Sequence, residues 1–318
     1  RWRNLTIAAS TPANTTGYAI TITATDTTTG ATKDATYTIV INKASFTCTT
    51  SKGNYNYNGS IGSPSVSSNP GSGTVTYYRN TSNSASGGTA WSGTTSTTLA
   101  PGTYYIYATI PETTYYKGAT CTQSAFTVSK GTLAVTRTNY SAQYDGSAHG
   151  VTVKVTSANW DGKTIVSGTS TSYGTTVTSN GAVNTNYTLE PKYTDYAASA
   201  RTVYYKVTGG TYYEDYTGTG TVTISKKTAT NSVKITGTNT WGSTLTATIT
   251  TNSNGTKGYK WYYSSTAGAT SGGTAVNDTN CNAGSTCVIP QSLVGKYIYV
   301  VASVGDSTNY TTPADSTD

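Results

Sequence analysis

Four cysteines, Cys48, Cys121, Cys281 and Cys287, are the side chains here best equipped to form new bonds. Their spacing sorts them into two local pairs. Cys48 opens one segment of chain and Cys121 enters that segment's closing strand, so antiparallel neighbours are expected to bring them together. Cys281 and Cys287 straddle the five residues NAGST, inside an expected hairpin. Neither pair has the two further ligands that a structural zinc needs. Two disulfides are therefore expected, and with them an oxidising, extracellular compartment.

The remaining chemistry is sparse. The one histidine, His149, sits in a Tyr-Asp-Gly-Ser-Ala-His-Gly turn without a second His, Cys or Glu nearby, so it is expected to structure the turn. Serines are abundant, but none lies in a Gly-x-Ser-x-Gly elbow. Glu214-Asp215 stands beside Tyr213 and Tyr216, yet calcium wants several convergent oxygens and no DxDxD-like run exists. Glu190 beside Lys192 is the one candidate for the acid of a Lys–Asn isopeptide. No catalytic, cofactor-binding or metal-ligating residue is expected, nor any cofactor, and the chain reads as a non-enzyme. Net charge is +7, but the 20 Lys and Arg are scattered singly, which argues against nucleic acid as a partner. No apolar run approaches the ~20 residues of a membrane span, so no membrane insertion is expected in this segment. Tyrosine is the other signal. The doubled Tyr115, Tyr116 and Tyr212, Tyr213 fall in turns, where they suit a ligand contact or a contact between modules.

What must position these residues is a β framework. Thr and Ser make up about a third of the 318 residues, Tyr reaches 28, and Phe is 2 with Met 0. Thr, Tyr and Val fit a pleated surface, while good helix formers are scarce, so the chain is expected to be all-β. A hydrophobic fraction of 35% makes each core small, in need of disulfides or neighbouring modules.

The chain also repeats itself. ATYTIVINKA (Ala35–Ala44), SAFTVSKG (Ser124–Gly131) and GTVTISKKT (Gly220–Thr228) each end a strand on a basic mark. Lys43, Lys130 and Lys227 lie 87 and 97 residues apart. That is the length of one immunoglobulin-like sandwich, about 100 residues. Upstream of each ending, or of its expected place, comes a Tyr-rich strand: LAPGTYYIYATI (Leu99–Ile110), ASARTVYYKVT (Ala198–Thr208) and SLVGKYIYVVASV (Ser292–Val304). A Tyr-bearing turn follows every time, at Thr113–Gly118, Thr211–Gly218 and Ser307–Thr312. Alternation along the first of these strands puts Tyr104, Ile106, Ala108 and Ile110 on one face and Tyr105, Tyr107 and Thr109 on the other, as in a half-buried antiparallel strand. TVTYYRNTSNSASGGTA (Thr74–Ala90) and KGYKWYYSSTAGATSGGTA (Lys257–Ala275) match almost literally. The expected division is a partial module at 1–43, modules at 44–130 and 131–227, and a module at 228–318 without its closing strand. Both ends are expected to be cut mid-domain from a longer array, and linkers of one or two residues imply a semi-rigid rod with coupled neighbours.

YDGSAHGVTVKV (Tyr144–Val155), with YTLEPKYTDY and RTVYYKVTGGTYYEDYTGTGTVTISKK, resembles the MBG-type or "YDG" repeat of large bacterial surface proteins. The flanking modules resemble related bacterial immunoglobulin-like repeats. The resemblance implies tandem sandwiches, a cell-surface or fibre location and no catalytic residues. Three functions compete. A stalk or spacer in a large bacterial surface adhesin or fibre protein leads. A filament subunit completed by strand exchange, and a module binding a host or cell-surface glycan or protein through its Tyr turns, follow. Apart from such a ligand, the expected partners are neighbouring modules of the same or an identical chain.

Overall fold

The computed structural model describes residues 5–92, 99–178, 185–281 and 283–318, so the Arg1-Trp2-Arg3 start lies outside it. Among the described residues there are strands, turns and one short 3-10 turn, Gln291–Leu293, with no α-helix. The chain divides into two compact units. Unit 1 comprises Arg1–Leu133, Asn159–Gly162 and Gly209–Asp215; unit 2 comprises Ala134–Ala158, Lys163–Thr208 and Tyr216–Asp318.

Unit 1 opens with a hairpin of β1 (Asn14–Thr25) and β2 (Thr32–Ile41), paired from Tyr18↔Ile39 to Thr25↔Thr32. Its turn is fixed by the Asp26 carboxylate, which accepts the N–H groups of Thr28 and Thr29. Two sheets follow. β3 (Thr50–Ser51) pairs with β5 (Ser65–Val66). The larger sheet runs β4 (Tyr55–Asn56), β10 (Ser124–Ser129), β8 (Gly102–Ile110), β6 (Thr76–Asn80), β7 (Thr89–Ala90), with β9 (Ala119–Thr120) beside β8.

Unit 2 repeats this plan twice. A three-stranded sheet joins β11 (Val135–Thr138), β13 (Thr152–Val155) and β16 (Asn186–Thr188). A five-stranded one joins β12 (Tyr140–Gln143), β18 (Tyr216–Ser225), β17 (Arg201–Val207), β14 (Thr164–Gly168) and β15 (Thr175–Thr178). Then β19 (Ser232–Gly237), β20 (Thr244–Thr250) and β23 (Thr286–Val288) form one sheet. The other is β22 (Thr274–Ala275), β21 (Lys257–Ser264), β24 (Tyr297–Val304) and β25 (Ser316–Thr317). The two-residue β25 stands where the sequence reading expected no closing strand.

One connection gives the fold its character. In two places the opening strand is split between the sheets, its second half (β4, β12) pairing parallel to the closing strand (β10, β18), while the other strand-to-strand ladders among the described residues are antiparallel. Opening strands thus belong to both layers, which ties sheet to sheet.

The literal SGGTA repeat has a physical cause. Gly87 and Gly272 take φ of +69° and +71°, a region where a Cβ is costly. The next glycines, Gly88 and Gly273, lie under a tyrosine ring, and a Cβ there would come within 2.8 Å of Tyr107 and 2.7 Å of Tyr299. Their N–H groups donate to Tyr107 Oη at 3.1 Å and Tyr299 Oη at 2.8 Å. Each ring in turn stacks on a neighbour, Tyr78 on Tyr107 and Tyr262 on Tyr299. The half-buried reading of β8 is thereby corrected: Ile106, Ala108 and Ile110 are buried on one face, and Tyr107 on the other is buried too, because the Tyr stack and the glycine loop cover it.

Candidate functional site

The two disulfides are present, and each departs in detail from the sequence reading. Cys48–Cys121 joins parallel, not antiparallel, neighbours. Thr49 and Thr122 form a parallel bridge, because the opening strand runs alongside the closing one. The cystine lies in a core with Ala108 and Ile110. Cys281–Cys287 does not close a hairpin; Cys287 is in β23, but Cys281 is in a loop. Its loop carries the carbonyl of Gly284, which accepts the indole N–H of fully buried Trp261 at 2.9 Å. Both cysteines share a core with Trp261, Leu245 and Val300.

His149 is a turn element. Its Nε2 lies 2.9 Å from the Asp145 carboxylate and its ring stacks on Tyr140 at 3.8 Å, while its backbone bridges Tyr193. The hydrogen bond from His149, then that from the Ser147 amide, holds the Asp145 carboxyl below the usual range. Glu214 and Asp215 do not converge on a cation site; Asp215 accepts the N–H of Gly209 at 2.9 Å. Among the described residues no three His, Cys, Asp or Glu side chains are grouped for a metal. Glu190 pairs with Lys192 at 3.1 Å with both side chains more than a third exposed, so this pair lacks the buried setting an isopeptide acid requires.

The tyrosine turns carry the site. Three times, one residue donates its N–H to the carbonyl before a turn residue and accepts the N–H of the residue after it. Ala44 N–H binds Tyr115 O at 2.9 Å and Ala44 O takes Lys117 N–H at 2.9 Å, around Tyr116. Gly131 does the same with Tyr212 O and Glu214 N–H, around Tyr213. Lys227 does it with Asn309 O and Thr311 N–H, around Tyr310. The first two clasps lie within unit 1 and the third within unit 2.

The lysine just before each bridge residue holds the front of the same turn. Lys43 pairs with Glu112 at 3.1 Å, Lys130 Nζ donates to Gly210 O at 2.7 Å, and Lys226 donates to Asp306 and Ser307 O at 3.0 Å. The repeated basic mark thus has a job, and in its last copy the mark is Lys226. Lys227 supplies the backbone bridge instead.

Aromatic packing completes each clasp. Tyr116 meets Phe46 edge-on at 6.0 Å, and Tyr115 Oη donates to Ser10 O at 3.1 Å. Tyr57 lies 4.9 Å from Tyr212 and 5.4 Å from Tyr213, whose hydroxyl accepts from Asn58 Nδ2 at 2.9 Å. Asn159 Nδ2 donates to Tyr57 Oη at 2.8 Å. Tyr144 meets Tyr310 at 5.7 Å, and Asn309 links to Asp195 and the Tyr196 N–H. Tyr57, Asn58, Tyr144, Asn309 and Tyr310 are not among the expected contact residues, although Tyr310 is the tyrosine of the turn Ser307–Thr312. The signal was the recurring turns YNGS and YDGS, one near the start of each of the expected modules 44–130 and 131–227.

Paired sheets, a split opening strand and tandem repetition define an all-β protein of immunoglobulin-like sandwiches. No protein-family model matches the chain. No curated protein is significantly similar to it. Solved structures similar to it include a crystal structure of domains from titin, with 8% identity, TM-score 0.29, and 80% of this chain and 89% of that one covered. Another is the three N-terminal domains of the bacteriophage RB49 highly immunogenic outer capsid protein, with 13% identity, TM-score 0.27, and 80% and 91% covered. Likeness this distant carries no assignment of function.

Proposed function

We propose that the chain is a non-catalytic spacer segment of an extracellular, surface-attached adhesin or fibre protein, of the kind built from bacterial MBG/"YDG"-type and related repeats. One observation carries this reading: the same lysine, backbone bridge and tyrosine turn recur at Ala44, Gly131 and Lys227. A contact repeated at about one module's spacing is what a linear array needs between neighbours. Exposed Thr-rich strands, two disulfides and low charge suit an unreactive element outside the cell. Neighbouring modules are its partners in this reading, and the doubled tyrosines serve packing rather than a glycan.

Pulling the full chain by its ends tests the reading. Discrete unfolding events are expected. Reducing the Cys48–Cys121 bond should lengthen one of them by about 250 Å, since 73 residues separate the two cysteines. Saturable binding of an oligosaccharide by the isolated chain, lost in Tyr115→Ala, would contradict a pure spacer.

A further inference from the structure

Each clasp is built on the same places of a sandwich. A turn residue next to the bridged tyrosine sits against the segment just before a Tyr-rich or long edge strand, Tyr115 at Ser10 and Asn309 at Asp195 and Tyr196. Alternatively or additionally the bridged tyrosine itself sits against the turn after an opening strand, as at Tyr57 and Asn58, or Tyr144. A residue two or three positions past the closing strand, just after the lysine, supplies the backbone bridge.

The sandwich of β19 to β25 has the same places, and among the described residues no turn tyrosine lines its cleft other than Tyr297 of β24 itself. The turn after β19 reads Thr240-Trp241-Gly242-Ser243, beside Tyr-Asn-Gly-Ser at 57–60 and Tyr-Asp-Gly-Ser at 144–147. Gly242 and Gly146 both take positive φ, +76° and +84°, so the two turns bend alike. The segment before β24 is Leu293–Lys296, and β25 ends beside Asp318. A cleft of about 750 Å³ lies among these same elements, lined by Thr240, Trp241, Leu293, Val294, Tyr297 and Asp318. In the filled seats Tyr57 is only 3% exposed and Tyr144 is half-buried. Here Trp241 is 67%, Val294 64% and Tyr297 49% exposed. Apolar side chains this open, gathered on one cleft, mark a contact surface.

We infer that the Trp241–Tyr297 cleft is a fourth seat, and that its occupant is the tyrosine-bearing turn of another immunoglobulin-like module, of the type this chain carries at Tyr213 and Tyr310. A tyrosine edge meets the Trp241 face, as aromatic pairs prefer. The backbone on either side of that tyrosine is bridged by the residue after the lysine that follows the closing strand. The inference deepens the spacer reading by naming the partner's chemistry, and the two can fail separately.

The test joins a second copy of residues 222–318 after Asp318 of the full chain, supplying Lys226, Lys227 and a Tyr310 turn. Acrylamide quenching of Trp241 is read as the difference from the matching Trp241→Phe protein. On extension the quenching constant should fall at least about threefold, as for an indole covered by an aromatic turn. Tyr310→Ala in the added copy should restore it. Slow amide exchange at the copy's Thr311 reports the same bridge without a substitution, and the copy's buried Trp261 reports that it has folded. With the copy folded, equal quenching of Trp241 in both chains would overturn the fourth seat and leave the three internal clasps standing. Protection of Trp241 in the unextended chain by an oligosaccharide would overturn it as well, and would count against the spacer reading too.

Discussion

Tyr213 is the side chain on which the clasp account depends most. It is 2% exposed, packs edge-on to Tyr57 and accepts a hydrogen bond from Asn58. Truncating a buried aromatic costs about 3–5 kcal/mol, so Tyr213→Ala should lower the stability of unit 1 by about 3 kcal/mol in denaturant unfolding. Tyr213→Phe keeps the ring and loses the Asn58 bond, for a cost of about 1 kcal/mol. Tyr115, 43% exposed, should cost less than Tyr213 when changed to Ala. Gly131 is the second sensitive point, because a Cβ there would stand 2.6 Å from the Tyr57 carbonyl oxygen. Gly131→Val should therefore weaken the middle clasp, whereas Ala44→Val, at a bridge residue that already carries a Cβ, should be milder. Equal losses from the two valines in thermal unfolding would refute that reasoning.

At the scale of elements, the cystines replace core that the composition does not supply. The Cys48–Cys121 loop of 73 residues should contribute about 4 kcal/mol on chain-entropy grounds, and the Cys281–Cys287 loop about 2 kcal/mol. Calorimetry of Cys48→Ala/Cys121→Ala beside Cys281→Ala/Cys287→Ala should rank them in that order. A larger loss from the short loop would mean that its support of Trp261 outweighs loop entropy. These elements were also the most legible in sequence. Alternation in LAPGTYYIYATI announced β8, and the two SGGTA copies announced one loop used twice. Parallel pairing of the split opening strand was not legible. YNYNGS and SAQYDGS contain no residue that says which sheet the strand joins, and β4 is only two residues long. The clasp was half legible. Its lysines and doubled tyrosines stood out by recurrence, but their partners lie 72 to 83 residues away, beyond any local pattern. Lys52 was not legible either. It is a buried lysine held by the carbonyls of Gly53 and Ile61 and lying over the rings of Tyr55, Trp91 and Phe126.

For the whole molecule, pH should bound stability on both sides. Hydrogen bonds from Lys226 hold the Asp306 carboxyl low, and those from His149 and Thr211 do the same for Asp145 and Asp161. A carboxylate depressed in the folded state contributes stability above its unfolded value, near 4, and that contribution is lost as pH falls below it. Burial pushes the Tyr55 and Tyr205 hydroxyls up to about 12. Their contribution is complete below the unfolded value near 10 and is lost as pH rises from there toward 12, because the unfolded chain ionises first. Urea midpoints should therefore be flat between, falling at both ends, and Tyr205→Phe should soften the alkaline fall. Three clasps, two in one unit and one in the other, remain the central claim, and amide hydrogen exchange reaches it most directly. The N–H groups of Ala44, Lys117, Gly131, Glu214, Lys227 and Thr311 should all exchange slowly. Tyr213→Ala should release Gly131 and Glu214 alone. Exchange of these six amides at open-loop rates in the intact chain would contradict the account.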